Sequence, residues 1–314
     1  MQVLLSTVIP VGLIVFLGFY VGKRFDLDLP TLSRLSIYVL VPALIFDAMY
    51  RAQLNGSSVL GLSLAFFIAY GVLYLLTVGI SRALHLSRDL QKSLVAMATF
   101  PKSGNMGLPM AQLAFGVAGY ERAMVVFVAS SVLMFGLGPA FLKGGGLLQS
   151  LTFTLRLPLF WALAAGLGLR ALEALFPPLG EFVRATKLDQ GVHLLGQACI
   201  PVLLLSLGMQ IAQSPLPWSG PLGTARMLAF ELLGSFLRLI AAPTLTYGVG
   251  LLLRLSPLDL QVLVLQSAMS VAVNAFMMVR EFGGDAKKTA GGVVLSTVLA
   301  FVTIPLVLWM VGVR

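Results

Sequence analysis

The sequence predicts an all-α polytopic membrane protein of ten transmembrane helices, built as two inverted five-helix repeats with the fourth and ninth helices broken. Three observations predict it. Of 314 residues, 58% are hydrophobic and only 11% are charged, whereas a soluble domain carries roughly 25% charged residues. So few charges cannot cover a water-facing surface, and most of the surface must face lipid. Ten apolar segments meet the length of about 20 residues that a span requires, and the order of motifs along the chain repeats between its halves.

The spans run at roughly 3–22, 31–50, 58–81, 91–117, 121–142, 152–171, 190–212, 227–253, 257–281 and 287–311. No stretch between them is long enough for a soluble domain. The longest break, 172–189, holds Pro177, Pro178, Glu181, Arg184, Lys187 and Asp189, and reads as a loop. The first apolar run has no basic residues before it and no small-residue cleavage site after it, so it reads as a retained span. On the side opposite the N-terminus stand Lys23, Arg24, Arg82, Arg88, Lys92, Lys143, Arg156, Arg226, Arg280, Lys287 and Lys288. The N-terminal side has Arg51, Arg122, Arg170, Arg184, Lys187, Arg254 and Arg314. The excess of basic residues on the first side places both termini outside the cytoplasm.

The net charge of +9 sits in these short breaks, which fits membrane topology, with lipid and not nucleic acid as the partner. One cysteine, Cys199, and two histidines, His85 and His193, exclude a disulfide framework within the chain and a cysteine-based zinc site. No cofactor or metal is expected. Neither an HExxH nor a GxSxG pattern is present, and Asp47 is the one interior aspartate placed, Asp259 standing at the edge of its span, so an intramembrane enzyme lacks its nucleophile and base. A receptor that binds without flux stays open.

The repeat rests on matched motifs. SSVLMFGLGP (130–139) aligns with STVLAFVTIP (296–305). Phe115-Gly116 precedes a polar turn, as does Phe282-Gly283. Pro10 with Gly18 matches Pro158 with Gly166, and Pro42 matches Pro201. The split gives a first repeat over 1–142, a connecting loop over 143–151 and a second repeat over 152–314. An odd number of spans per half inverts the second half, an architecture of secondary transporters with the substrate site near the midplane.

The fourth span contains Pro101, Lys102, Ser103, Gly104, Asn105, Gly107 and Pro109, a run that cannot remain a regular helix. Unwound backbone at membrane depth is tolerated where it lines a cavity or is buried in protein. The N-terminus of a half-helix there would favour a carboxylate; a plain proline kink is the alternative. The ninth span carries Ser267, Ser270 and Asn274 without a proline, a softer break. Asn105 and Asn274 occupy matching places. Each can donate to an oxyanion or serve as interhelical glue.

The motifs GNMGLPMAQLAFG (104–116) and AVNAFMMVREFGGD (272–285), supported by PVLLLSLGMQIA (201–212) and RLIAAP (238–243), resemble those of the auxin efflux carrier family, which includes plant PIN carriers and bacterial malate-permease-like proteins. The resemblance spans the chain. It implies that the broken fourth and ninth helices cross, that a carboxylate binds at the crossover between an asparagine of each (Asn105 and Asn274), and that one domain shifts in an elevator-like motion. It also implies a homodimer. A proline usually follows the AM of the ninth-helix motif, where this chain has Ser270. The long central loop of the plant carriers is missing, so the chain looks like a compact member of the bacterial inner membrane.

Lys102 would lie near the membrane centre, where a charge costs roughly 2.5 to 3.5 kcal/mol by insertion measures. It must bind an anion, pair with a carboxylate such as Asp47, or release its proton. Asp47 is also the candidate for a coupling proton, with H+ and Na+ both open as coupling ions. Glu231 and Arg238 lie two turns apart on one face, and His193 and Gln197 one turn apart. Gln210 is a candidate for the cavity wall. The substrate-binding set is therefore Asn105, Asn274, Lys102, Ser103, Pro109, Ser270 and Gln210. The methionines beside the breaks, Met97, Met106, Met110, Met269, Met277 and Met278, suit either an adaptable apolar wall or plain packing. The expected function is a carrier of small organic anions. The alternative is a sodium-coupled symporter of the bile-acid type, for which Gln112, Gln266 and Ser267 supply part of a cation site.

Overall fold

A computed structural model describes residues 2–51, 56–143, 158–213 and 225–312. These residues are almost wholly helical, and an isolated bridge between Pro101 and Val271 is the one β-type pair among them. The helices are α1 (Gln2–Arg24), α2 (Leu29–Arg51), α3 (Gly56–Ala83), α4 (Arg88–Thr99), α5 (Ser103–Leu142), α6 (Pro158–Leu175), α7 (Pro177–Thr186), α8 (Leu188–Gln213), α9 (Leu228–Leu252, entered from Ala225), α10 (Pro257–Ser267), α11 (Val273–Phe282) and α12 (Ala286–Met310). Seven of these, α2, α3, α5, α6, α8, α9 and α12, are long and apolar enough to cross a membrane. The expected fourth and ninth spans do not appear among them as single helices, because each is interrupted. The connecting loop lies outside the described residues beyond Lys143, as do residues 152–157 with Arg156, and Arg314.

The expected loop over 172–189 is corrected by the structure. The chain there is helical except at Phe176 and Lys187. Phe176 is the N-cap of α7, and Pro177 and Pro178 open the helix, where proline's missing N–H costs nothing and its φ is already helical. Lys187 ends it in a left-handed conformation. Two prolines signal a helix start here as readily as a loop.

Proline also shapes the long helices. The π-helical turns Ser36–Leu40, Ser103–Gly107, Val132–Leu137 and Leu237–Ala241 each end two residues before a proline: Pro42, Pro109, Pro139 and Pro243. Proline removes an N–H and crowds the carbonyl one turn back. A wider turn takes up that misfit without ending the helix.

The chain forms two compact units, each drawn from both halves of the sequence. The smaller contains Val11–Leu54 and Thr152–Gln213; the larger contains Met1–Pro10, Asn55–Leu151 and Ser214–Arg314. In the smaller unit the helices meet through glycines. A Cβ on Gly18 of α1 would lie 2.2 Å from the Leu205 carbonyl oxygen of α8, and one on Gly166 of α6 would lie 2.8 Å from the Phe46 carbonyl oxygen of α2. Small residues let apolar helices approach backbone to backbone, where dispersion is the main attraction in lipid. Several charged side chains in this unit are paired. Asp47 receives Arg51 at 2.7 Å and His193 at 2.8 Å, Arg51 also reaches Asp189 at 2.9 Å, and the Tyr50 hydroxyl donates to Glu173 at 2.7 Å.

The larger unit packs α3, α4, α5 and α9 to α12 around a core that includes Phe66, Tyr70, Leu94, Met97, Phe100, Met106 and Leu263. Gly116 and Gly283, matched in the sequence, both adopt positive φ, at 67° and 92°. That backbone suits glycine, which has no Cβ to clash. Each turns the chain out of the half-helix before it, inside α5 and after α11.

Candidate functional site

Two interruptions of the larger unit face each other. α4 ends at Thr99 and α5 begins at Ser103; α10 ends at Ser267 and α11 begins at Val273. The extended residues between them pair. Lys102 N–H donates to the Ser270 carbonyl at 2.8 Å, and Ala272 N–H donates to the Phe100 carbonyl at 2.9 Å. Backbone groups freed where the helices stop are thereby satisfied inside protein.

The two breaks solve one problem with different residues. Pro101 has no N–H to satisfy. Opposite it, Val271 does, and its N–H donates to the Ser296 hydroxyl at 3.1 Å. Thr297 Oγ1 donates to Ser270 Oγ at 3.4 Å. Ser103 Oγ lies 2.6 Å from Ser130 Oγ. Ser130 and Ser296 are the matched first residues of the repeated decapeptide. The repeat found both without revealing that they support the breaks.

Beyond the breaks, the helix starts expose one polar side chain each. From Ser93 to Ala111 every residue is buried except Asn105. From Val262 to Ala272 every residue is buried, and Val273 and Asn274 are the first accessible ones. Neither asparagine side chain forms a hydrogen bond to another described residue. Both sit in first turns, where backbone N–H groups have no intrahelical acceptor and the macrodipole is positive. A surface of that kind, with amide donors added, suits an oxyanion.

Lys102 is 5% exposed, and its ammonium donates to Thr297 Oγ1 at 3.4 Å. No carboxylate lies within ion-pair distance of it among the described residues. Asp47, raised from sequence as a partner for Lys102, has Arg51 on one oxygen and His193 on the other. Ser103 and Ser270 are buried at the breaks, and Pro109 is buried in the first turn after the π-helical segment. Gln210 belongs to the smaller unit, on α8, and Asp47 to the same unit.

Gln266 and Ser267 end α10 with polar side-chain atoms that have no hydrogen-bond partner among the described residues. Gln266 fills the space where a side chain at residue 107 would stand, 2.1 Å from the position of a Cβ on Gly107, so a larger residue there would make the Gln266 amide shift. Arg238, fully buried on α9, donates to the Ala98 carbonyl at 2.7 Å, to the Tyr70 hydroxyl at 2.6 Å and to the Ser267 carbonyl. The Glu231 partner considered from sequence is not its acceptor. An arginine amid the apolar run of RLIAAP was the available signal, but its targets lie far away in sequence.

Comparison with known proteins gives the family. Residues 3–138 and 147–308 match the family described as "Membrane transport protein". The chain is 30% identical over 309 residues to an "Uncharacterized transporter" of Methanothermobacter thermautotrophicus, an alignment that covers 96% of each chain. The chain therefore belongs to the membrane transport protein family, the auxin efflux carrier or PIN-like family that its motifs resemble, and is a multi-pass membrane protein.

Proposed function

We propose that this membrane transport family member carries small organic anions, with carboxylates as the favoured class, by an elevator-type alternating-access mechanism. The anion would bind where the fourth and ninth spans break and cross. The observation that carries this reading is the pair of accessible, unpartnered amides, Asn105 and Asn274. They stand at matching points just past two bridged breaks, Asn105 in a stretch otherwise buried and Asn274 beside the accessible Val273. Two helix N-termini and the Lys102 ammonium supply positive potential without a competing carboxylate. Ser103, Pro109 and Ser270 hold the breaks in shape, and Gln210 is assigned to the cavity wall.

Ten spans in two inverted repeats remain the proposed architecture. The matched positive-φ glycines, the Ser130 and Ser296 supports and the equivalent roles of Gly18 and Gly166 all favour it. So does the composition of each unit from corresponding parts of both halves. The distribution of basic residues favours termini on the non-cytoplasmic side of a bacterial inner membrane. A homodimer is the proposed assembly. Where a proton gradient drives transport, Asp47 is the proposed proton carrier.

A sodium-coupled symporter is the second reading, favoured by the unpartnered Gln266 amide and Ser267 hydroxyl. One experiment tests both. Purified protein in liposomes is challenged with malate, malonate, succinate, lactate and indole-3-acetate, with and without sodium, and charge movement and labelled flux are recorded. Uptake of one acid that the variant Asn105→Ala with Asn274→Ala abolishes is the expected result. Uptake that requires sodium would favour the second reading, and no flux of any acid would overturn the carrier.

A further inference from the structure

Arg238 is 0% exposed and has no carboxylate partner among the described residues. Its charge is instead committed to two helix ends. One NH group reaches the carbonyl of Ala98, in the last turn of α4, at 2.7 Å. Another reaches the carbonyl of Ser267, the last residue of α10. The same group bonds the Tyr70 hydroxyl, and the guanidinium carbon lies 5.2 Å from the Tyr70 ring centroid. Tyr70 is itself stacked on Phe66, with ring centroids 4.0 Å apart.

The last carbonyls of a helix lack intrahelical donors, and each helix end carries about half an elementary negative charge. Two such ends brought together at a break repel. A single guanidinium, with roughly one positive charge and a rigid fork of donors, neutralises both and bonds both at once. Other carbonyls at these ends are served locally: Phe100 N–H bonds Ala96, and Ala268 N–H bonds Val264 and Leu265. The opposite ends, at the starts of α5 and α11, have no fixed anion, and there Asn105 and Asn274 are presented.

We propose that Arg238 is a positioning residue for the anion site: its guanidinium ties the C-terminal ends of α4 and α10 together, and so fixes the two breaks from which Asn105 and Asn274 project. This rests on the anion-carrier reading. The clamp supplies a positive charge to the helix ends at the breaks, while the helix starts stay open for the transported anion.

The test uses full-length protein in liposomes and the member of the acid panel above with the largest wild-type flux. Arg238→Ala is expected to raise KM about tenfold or more, since hydrogen bonds to a charged group are worth ~1.5–3 kcal/mol each. Millimolar guanidinium should restore most of that loss, because it refills the space with the same fork, whereas equal sodium or methylammonium should not. Arg238→Lys should fall between, since an ammonium has no planar fork to span two carbonyls. Tyr70→Phe, which keeps the charge and removes one partner, should raise KM about threefold. A wild-type KM in Arg238→Ala, or a loss that guanidinium leaves unchanged, overturns the proposal. If Arg238→Ala does not fold, unchanged KM in both Arg238→Lys and Tyr70→Phe overturns it. Wild-type liposomes silent for every acid would sink the carrier reading together with this assignment, whereas wild-type flux beside an indifferent Arg238→Ala would sink this assignment alone.

Discussion

The two units treat charge in opposite ways. In the smaller, Asp47, Arg51, Asp189 and His193 form a chain of close pairs, and Glu173 accepts from Tyr50. In the larger, Arg122 and Asp259 pair at 2.6 Å, but the two buried cations have no carboxylate among the described residues: Arg238 bonds helix ends, and Lys102 meets a threonine hydroxyl. Paired charges hold helices in place. A buried charge without a carboxylate lowers stability unless other groups compensate it: Arg238 has two helix ends, whereas Lys102 has one threonine hydroxyl. That contrast is why the anion site is assigned to the larger unit.

Substitutions can break the contrast. Lys102→Met should have the largest effect, raising KM for the transported acid by about tenfold or more through loss of a charge-assisted contact. It should also stabilise the protein by on the order of 1–3 kcal/mol, since a costly buried charge is removed; a thermal melt beside the uptake curve reads both. A variant that lost stability and activity together would make Lys102 structural. Next, Ser296→Ala leaves Val271 N–H without its acceptor, at a cost of about 1–3 kcal/mol, and should lower both melting temperature and transport rate. Smallest on binding is Asp47→Asn. Its partners are partly exposed, so the loss should be near 1 kcal/mol, with KM within about twofold and drive by an imposed pH gradient abolished. A KM shift as large as that of Lys102→Met would move Asp47 to the anion site and end the contrast.

The sequence exposed the first break through Pro101, which has no N–H to continue a helix; Gly104, Gly107 and Pro109 lie beyond it, in the first turns of α5. It showed the second only faintly. Ser270 and Val271 have no intrinsic aversion to a helix; they stay extended because Pro101 bridges them and Ser296 satisfies the freed amide. Those partners lie 170 residues before Val271 and 25 after it, out of reach of any local pattern. Arg238 was legible as a buried charge but not as a clamp, since both of its carbonyl targets depend on where other helices stop. Residues 172–189 misled in the other direction: polar residues and two prolines resemble a loop, but amphipathic packing of Gly180 and Val183 makes a short helix. Positions that rest on backbone chemistry could be read directly, and those that rest on a distant acceptor could not.

The central claim is that Asn105 and Asn274 serve one anion. The most direct measurement is the KM of the transported acid in proteoliposomes for Asn105→Ala and Asn274→Ala separately, beside wild type. The account predicts that each single variant raises KM by about tenfold, the worth of one hydrogen bond to a charged oxygen, with the fold intact by thermal melt. A wild-type KM in either single variant would contradict it and remove that half of the site.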